Sequence, residues 1–312
     1  AIVFQRLPPL GTLLVSTDQS LMCVNPGTGE VLWRRDDLSG LAESDYEQVP
    51  NAPIGLVEVR HGGGSIVIRC VEVVDLETGR HKWDSMHLPI SASHGAIAVP
   101  GRHLLVLAGA SKQGAGTILL GIDDETGEIR WEQDGLFRQP LRLFPARGSA
   151  KGTRRLTLDG AVAPVFDGDA MILYWSADGP MRIALATGAR QWVASALEGK
   201  TPPAQRHGSA PMVLDHGALL VPYAKGLIAL DAGSGKRVVG WAAGGATNVR
   251  TPLGPRATTY NNSSGPQVCG DVVMLGAAMS DRPEVKSQAP GDVQAFDAKT
   301  GSDHLDDIIS TG

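Results

Sequence analysis

Short apolar runs of about four to eight residues recur along the whole chain, and a glycine-bearing turn breaks each of them. Within a run the apolar positions alternate or are continuous, and no stretch has the three- and four-residue spacing of an amphipathic helix. The pattern therefore predicts strands joined by tight turns. Two kinds of hairpin alternate. One has a variable turn, as in Ala98-Val-Pro-Gly-Arg-His-Leu-Leu-Val-Leu107, Pro164–Tyr174, Met212–Val221 and Gln267–Leu275. The other is nearly the same each time: Cys23-Val-Asn-Pro-Gly-Thr-Gly29, Val73-Val-Asp-Leu-Glu-Thr-Gly79, Gly121-Ile-Asp-Asp-Glu-Thr-Gly127, Ala229-Leu-Asp-Ala-Gly-Ser-Gly235 and Ala295-Phe-Asp-Ala-Lys-Thr-Gly301, with a shortened copy at Ile183-Ala-Leu-Ala-Thr-Gly188.

Each position of this repeat has a physical task. The Asn or Asp side chain folds onto the amides that follow it, and the last glycine takes the positive φ that closes the turn. The final glycines are 50, 48, 61, 47 and 66 residues apart. Four residues after the glycine stands Trp33, Trp83, Trp131 or Trp192; in the fifth copy Trp241 is displaced by two. A large flat side chain on an outer strand suits docking against the neighbouring copy. The residue two before the Asx is small or apolar, so Cys23 reads as packing rather than as a nucleophile. Two hairpins per copy make a four-stranded antiparallel blade, and blades of roughly 45–50 residues repeated radially make a β-propeller. The expected fold is all-β: one β-propeller domain over residues 1–312, with six to seven blades in a closed ring or as an arc of a larger, eight-bladed one.

Composition adds exclusions. The chain has 312 residues, 39 of them Gly and 20 Pro, with 42% hydrophobic and 20% charged positions, which is globular and turn-rich. A net charge of -5 gives no broad attraction to phosphate, and nucleic acid is not an expected partner. No apolar run is long enough to span a membrane. The first residues, Ala1–Leu7, are too short to be a signal peptide. Three cysteines, Cys23, Cys70 and Cys269, without a CxxC pair imply neither a disulfide framework nor a zinc ribbon. The histidines form no HExxH, no GxSxG elbow occurs, and Gly233-Ser-Gly-Lys236 lacks the rest of a phosphate loop. Ala146–Arg155, basic without an acid, reads as a solvated inter-blade loop rather than an anionic partner site, and Trp175 as core packing rather than a surface stacked on a cofactor.

The AxDxxTGxxxW pattern resembles the tryptophan-docking repeat of the pyrroloquinoline quinone (PQQ) propellers. That superfamily holds quinoprotein alcohol and sugar dehydrogenases as well as non-catalytic relatives, one of them a lipoprotein of the bacterial outer-membrane assembly machinery. Residues 1 to about 225, with Val15-Ser-Thr-Asp and Leu32-Trp-Arg-Arg-Asp-Asp, are similar to the non-enzymatic bacterial repeat proteins. Residues about 215–301 are similar to the dehydrogenase branch, through Ser264-Gly-Pro266, Leu275-Gly-Ala-Ala-Met-Ser-Asp281 and Pro290-Gly-Asp-Val-Gln-Ala-Phe-Asp297. Two long connections, one after Trp241 and one from Met279 to Gly291, open on a shared face there, as functional loops commonly do.

The dehydrogenase resemblance implies Ser264 near a quinone hydrogen bond and Gly276, Ala277 and Ala278 where backbone approaches the cofactor. It implies Asp281 at a calcium-ligating position, or else as a solvated loop carboxylate. Arg206 is either a cofactor clamp or an exposed basic loop residue. Gly265 stands where the branch has a second proline, and Gln294 where it has arginine. The segment that carries the catalytic Asp in the dehydrogenases has no counterpart before Gly312, so no catalytic residue is assigned. The expected function is a non-catalytic binding or assembly module of the bacterial cell envelope, periplasmic by resemblance, with a protein partner. The alternative is a PQQ- and calcium-dependent dehydrogenase of alcohols or sugars, or a truncated relative of one, with a quinone and an alcohol as its small-molecule partners.

Overall fold

The computed structural model describes residues 3–7, 10–41, 45–61, 68–113, 116–137, 161–175, 178–194, 197, 212–223, 226–249, 261–262, 265–278 and 293–303. Their regular elements are strands, with short 3-10 turns such as Ser85–His87. The strands group into two units, residues 1–159 with Ala186–Gly188, and residues 160–185 with 189–312.

Unit 1 holds three four-stranded antiparallel sheets, each in chain order: β1 (Val3–Leu7), β2 (Thr12–Ser16), β3 (Leu21–Val24) and β4 (Val31–Arg35); β5 (Tyr46–Gln48), β6 (Ile54–His61), β7 (Ile68–Asp75) and β8 (His81–Asp84); β9 (Ile90–Ala98), β10 (Leu105–Ser111), β11 (Thr117–Ile122) and β12 (Ile129–Gln133). Unit 2 holds two more: β13 (Ala161–Asp167), β14 (Ala170–Trp175), β15 (Gly179–Ala184) and β16 (Arg190–Val193), then β17 (Val213–Asp215), β18 (Ala218–Tyr223), β19 (Gly226–Asp231) and β20 (Ala246–Asn248). A sixth blade is irregular. β22 (Gln267–Cys269), β23 (Val272–Leu275) and β25 (Gln294–Asp297) form three strands, and β21 (Asn261–Asn262) pairs β24 (Ala277–Ala278) beside them. Among the described residues these make five four-stranded blades and one irregular blade of a β-propeller, within the six to seven that the repeat predicts. The stretch after Trp241, read in sequence as a structureless connection, contains two strands, β20 and β21.

Strand burial explains the pattern. All six residues of β11 are buried, whereas β12 buries only Trp131 among five. Inner strands are covered on both faces and outer strands hold on by one indole. Cores accordingly sit between consecutive blades: Leu14, Cys23 and Trp33 pack with Tyr46, Val57 and Leu76, and Trp83 packs with Ile54, Leu105 and Leu120.

The repeat turns are built as the sequence requires. Asp123 Oδ1 accepts from the amides of Glu125 at 3.0 Å and Thr126 at 2.9 Å, and the Gly127 amide returns to the Asp123 carbonyl at 2.9 Å. Asn25, Asp75, Asp231 and Asp297 make the same turn.

Each tryptophan then lies on the glycine of the next turn. A Cβ on Gly79 would stand 2.6 Å from Trp33, on Gly127 2.7 Å from Trp83, on Gly188 2.3 Å from Trp131, on Gly235 2.6 Å from Trp192 and on Gly301 2.7 Å from Trp241. The indole N–H donates to the carbonyl three residues before that glycine: Trp33 to Leu76 at 2.8 Å, Trp83 to Asp124 at 3.2 Å, Trp192 to Ala232 at 3.0 Å and Trp241 to Ala298 at 3.0 Å. Across its own hairpin Trp33 faces Cys23, Trp83 faces Val73 and Trp131 faces Gly121. Cys23 is 1% exposed and is a packing residue, as read from its position.

The displaced Trp241 reaches the same dock by another route. Val239 occupies the nominal position and is 75% exposed, while Trp241, in a turn rather than a strand, is 1% exposed. The outer strand shrinks there to one bridge, Leu230 to Arg237, and the chain loops through Val238–Gly245 before β20 pairs β19.

Candidate functional site

The sixth blade brings together part of the set that the sequence singles out. β23 runs through Leu275, Gly276 is half-buried, and Ala277 and Ala278 form β24 against Asn262 and Asn261. Gly265 and Pro266, between β21 and β22, are buried. Ser264, Arg206 and Asp281 lie outside the described residues, so the quinone bond, the clamp and the calcium position read from sequence are not placed.

Gln294 stands beside Gly276 in this blade, since it pairs with Leu275 in the β23–β25 ladder. It is fully buried. Its Nε2 donates to the carbonyl of Val249 at 2.7 Å, which fastens β25 to the end of the preceding blade. Its Oε1 is buried and has no hydrogen-bond partner among the described residues. A buried amide oxygen left over in this way costs about 1–3 kcal/mol of desolvation and is a place where a donor or a cation would be welcome. In sequence Gln294 is legible only as a departure from the arginine of the dehydrogenase branch.

Unit 2 also has an open groove of about 570 Å³ lined by Tyr223, Ala242, Ala243, Ala246 and Thr247. The Tyr223 hydroxyl donates to the Thr247 carbonyl at 3.3 Å, and burial pushes its pKa upward.

Unit 1 has a polar cavity of about 530 Å³ that no motif announced, lined by Asp37, Asp45, Glu58 and Glu72 with Ser39. Arg35 lies among these acids. Its guanidinium is bonded to Asp37 and reaches Glu72 at 2.7 Å, and the Asp37 bond in turn holds the Asp37 carboxyl below its usual range. His81 Nδ1 is 3.2 Å from Glu72. The one signal in sequence was an acid inside an apolar inner strand, Glu72 in Cys-Val-Glu-Val-Val.

The family model described as the β-propeller domain of glucose, ethanol and alcohol dehydrogenases, named for PQQ, matches residues 147–304, half of the chain. The chain belongs to this PQQ propeller family. Among solved structures this PQQ propeller is similar to BamB from Moraxella catarrhalis, at 13% identity and a TM-score of 0.49, over 96% of this chain and 73% of that one. It is similar also to the quinohemoprotein alcohol dehydrogenase ADHIIG from Pseudomonas putida HK5, at 14% identity and 0.43, over 86% and 49%. The corresponding enzyme of Comamonas testosteroni gives 15% and 0.42, over 86% and 50%. The chain thus spans about half the length of those dehydrogenases. No curated protein matches it.

PQQ is an acidic o-quinone, so a cradle for it has to offer N–H donors and positive charge. Among the described side chains of the sixth blade the one cation is Lys299, paired with Asp271 at 2.8 Å, and one N–H of Gln294 is given to Val249.

Proposed function

We propose that this PQQ propeller is a non-catalytic binding or assembly module of the bacterial cell envelope, working in the periplasm with a protein partner. The observation that supports it is Gln294. Where the dehydrogenase branch has a cationic arginine, this chain has a neutral amide, buried and bonded to backbone at 2.7 Å. That position serves the joint between two blades.

A second reading, favoured by the family match over residues 147–304, is a PQQ- and calcium-dependent dehydrogenase of alcohols or sugars, in which Asp281 holds the metal and Ser264 and Arg206 the quinone. One titration separates the two. Purified chain is mixed with PQQ and Ca²⁺ while quinone absorbance and dye reduction by primary alcohols and aldoses are followed. The module predicts no saturable binding at micromolar PQQ and no turnover. Turnover, or saturable binding that Asp281→Ala strips of its Ca²⁺ dependence, would overturn it.

A further inference from the structure

We infer that the third blade carries a binding site for a divalent transition ion of the Zn²⁺ class, made by His103, Asp124 and Glu125. The site lies in unit 1 and does not rest on the proposed function. One ligand atom from each of the three side chains lies within 4.8 Å of the others. His103 Nδ1 and Asp124 Oδ1 are 3.1 Å apart, about the spacing of two ligands on one ion with bonds near 2.1 Å. Glu125 is 60% exposed and has the side-chain freedom to close the third position. One imidazole with two carboxylates suits Zn²⁺, Co²⁺, Ni²⁺ or Cu²⁺ better than Ca²⁺ or Mg²⁺, which take oxygen sets.

The repeat itself marks Asp124 as exceptional. In the other copies the residue three before the final glycine is apolar: Pro26, Leu76, Leu185, Ala232 and Ala298. Leu76, Leu185, Ala232 and Ala298 are buried there and each gives its backbone N–H to the first hairpin of its own blade: to Pro53, Asp169, Gly217 and Asp271. In the third blade the same two turns meet through side chains, and the carboxylate placed in this apolar niche is only 15% exposed. Covering a carboxylate without need is costly, and every sister copy avoids it with Leu, Ala or Pro.

The backbones behind the ligands are held. The Asp124 carbonyl accepts the Trp83 indole at 3.2 Å, the Asp123 carboxylate closes the turn under Glu125, and Val99 and Leu104 close the turn that carries His103. One group opposes an incoming cation. Lys82 Nζ sits 2.6 Å from Glu125, so metal has to displace an ammonium, and the affinity is expected to be micromolar rather than nanomolar.

The test is calorimetric titration of the full chain with Zn²⁺, repeated with Co²⁺ for its visible bands. One equivalent is expected at micromolar affinity. Asp124→Ala, which installs the residue that two sister turns carry, keeps the fold and loses at least about tenfold in affinity. His103→Ala does the same and changes the Co²⁺ spectrum, and Lys82→Met tightens binding several-fold. Thermal unfolding of each variant without metal confirms that it is folded. Zn²⁺ affinity and stoichiometry unchanged in both Asp124→Ala and His103→Ala, or no binding below about 100 μM by the intact chain, would overturn the assignment.

Discussion

Replacing Gly79 by alanine tests how the blades are joined, because Gly101 supplies a control with the same backbone. Both glycines sit in unit 1 with φ near +70°, at +72° and +69°. An L side chain in that region costs about 1–2 kcal/mol, and both variants bear that cost. They differ in what the new methyl meets. At Gly101 there is nothing within 4 Å, whereas at Gly79 the methyl would lie 2.6, 2.7 and 2.9 Å from Cδ2, Cε3 and Cγ of Trp33. The Trp33 ring is 8% exposed and tethered to the Leu76 carbonyl at 2.8 Å, so it has to move and give up that bond. Overpacking of this kind costs about 1–3 kcal/mol, and a buried carbonyl left unbonded about as much again. Gly79→Ala should therefore be destabilising by roughly 3–8 kcal/mol against about 1–2 for Gly101→Ala. The gap of about 2–6 kcal/mol is worth roughly 4–24 °C in melting temperature for a unit of this size. Urea unfolding followed by tryptophan fluorescence measures it. Equal losses in the two variants, within about 0.5 kcal/mol, would mean that the indole does not bear on the glycine and that the docking account is wrong.

Further outcomes follow from the same geometry. Trp241→Phe keeps most of the ring but strips the buried Ala298 carbonyl of its donor, for a loss of about 1–3 kcal/mol in urea, and adding Val239→Trp should restore none of it because that position faces solvent. Asp123 is held down to about pH 2 by its hydrogen bond from Arg130. A carboxyl depressed in the folded state stabilises above its unfolded pKa of about 3.9 and loses that stabilisation as pH falls toward 2, so Arg130→Gln should flatten this part of the acid limb of a stability–pH curve. With Ellman's reagent at pH 8 the native chain should show one fast thiol, the exposed Cys269. Cys23 is buried and burial pushes Cys70 up to about 11, so a second fast equivalent would contradict the core placement. Gln294→Glu should be destabilising by several kcal/mol, since it puts a carboxylate in a fully buried position, whereas Gln294→Leu should cost far less; similar losses would place Gln294 in contact with water.

The blades could be read from the chain because their determinants are local. An Asx, a hydroxyl residue and a glycine within five positions close a turn whatever surrounds it, and alternation of apolar residues tells which strands are covered on both faces. The indole four residues on, and the small residue across the hairpin from it, as at Cys23 and Gly121, follow from the same local frame. Sites spread over distant segments left no such trace. Asp37, Asp45, Glu58 and Glu72 line one cavity because β6 and β7 are paired, with Val57 opposite Glu72 and Glu58 opposite Val71, and the fold brings Asp37 and Asp45 beside them. His103 and Asp124 are 21 residues apart and meet only where two turns of the third blade converge.

Sequence alone determined that this chain makes antiparallel blades, how many repeat turns it has, and that a tryptophan follows five of the six. Those features depend on contacts within a few residues and on a period repeated six times. Only the tertiary structure decided which turn each indole reaches, so that Trp241 docks from a loop while Val239 is left in water. It also decided that Gln294 is fully buried and donates to the Val249 backbone carbonyl. The reason is physical: burial and hydrogen-bond partnership are properties of packed neighbours, and a residue's neighbours across blades are chosen by the fold, not by its place in the chain.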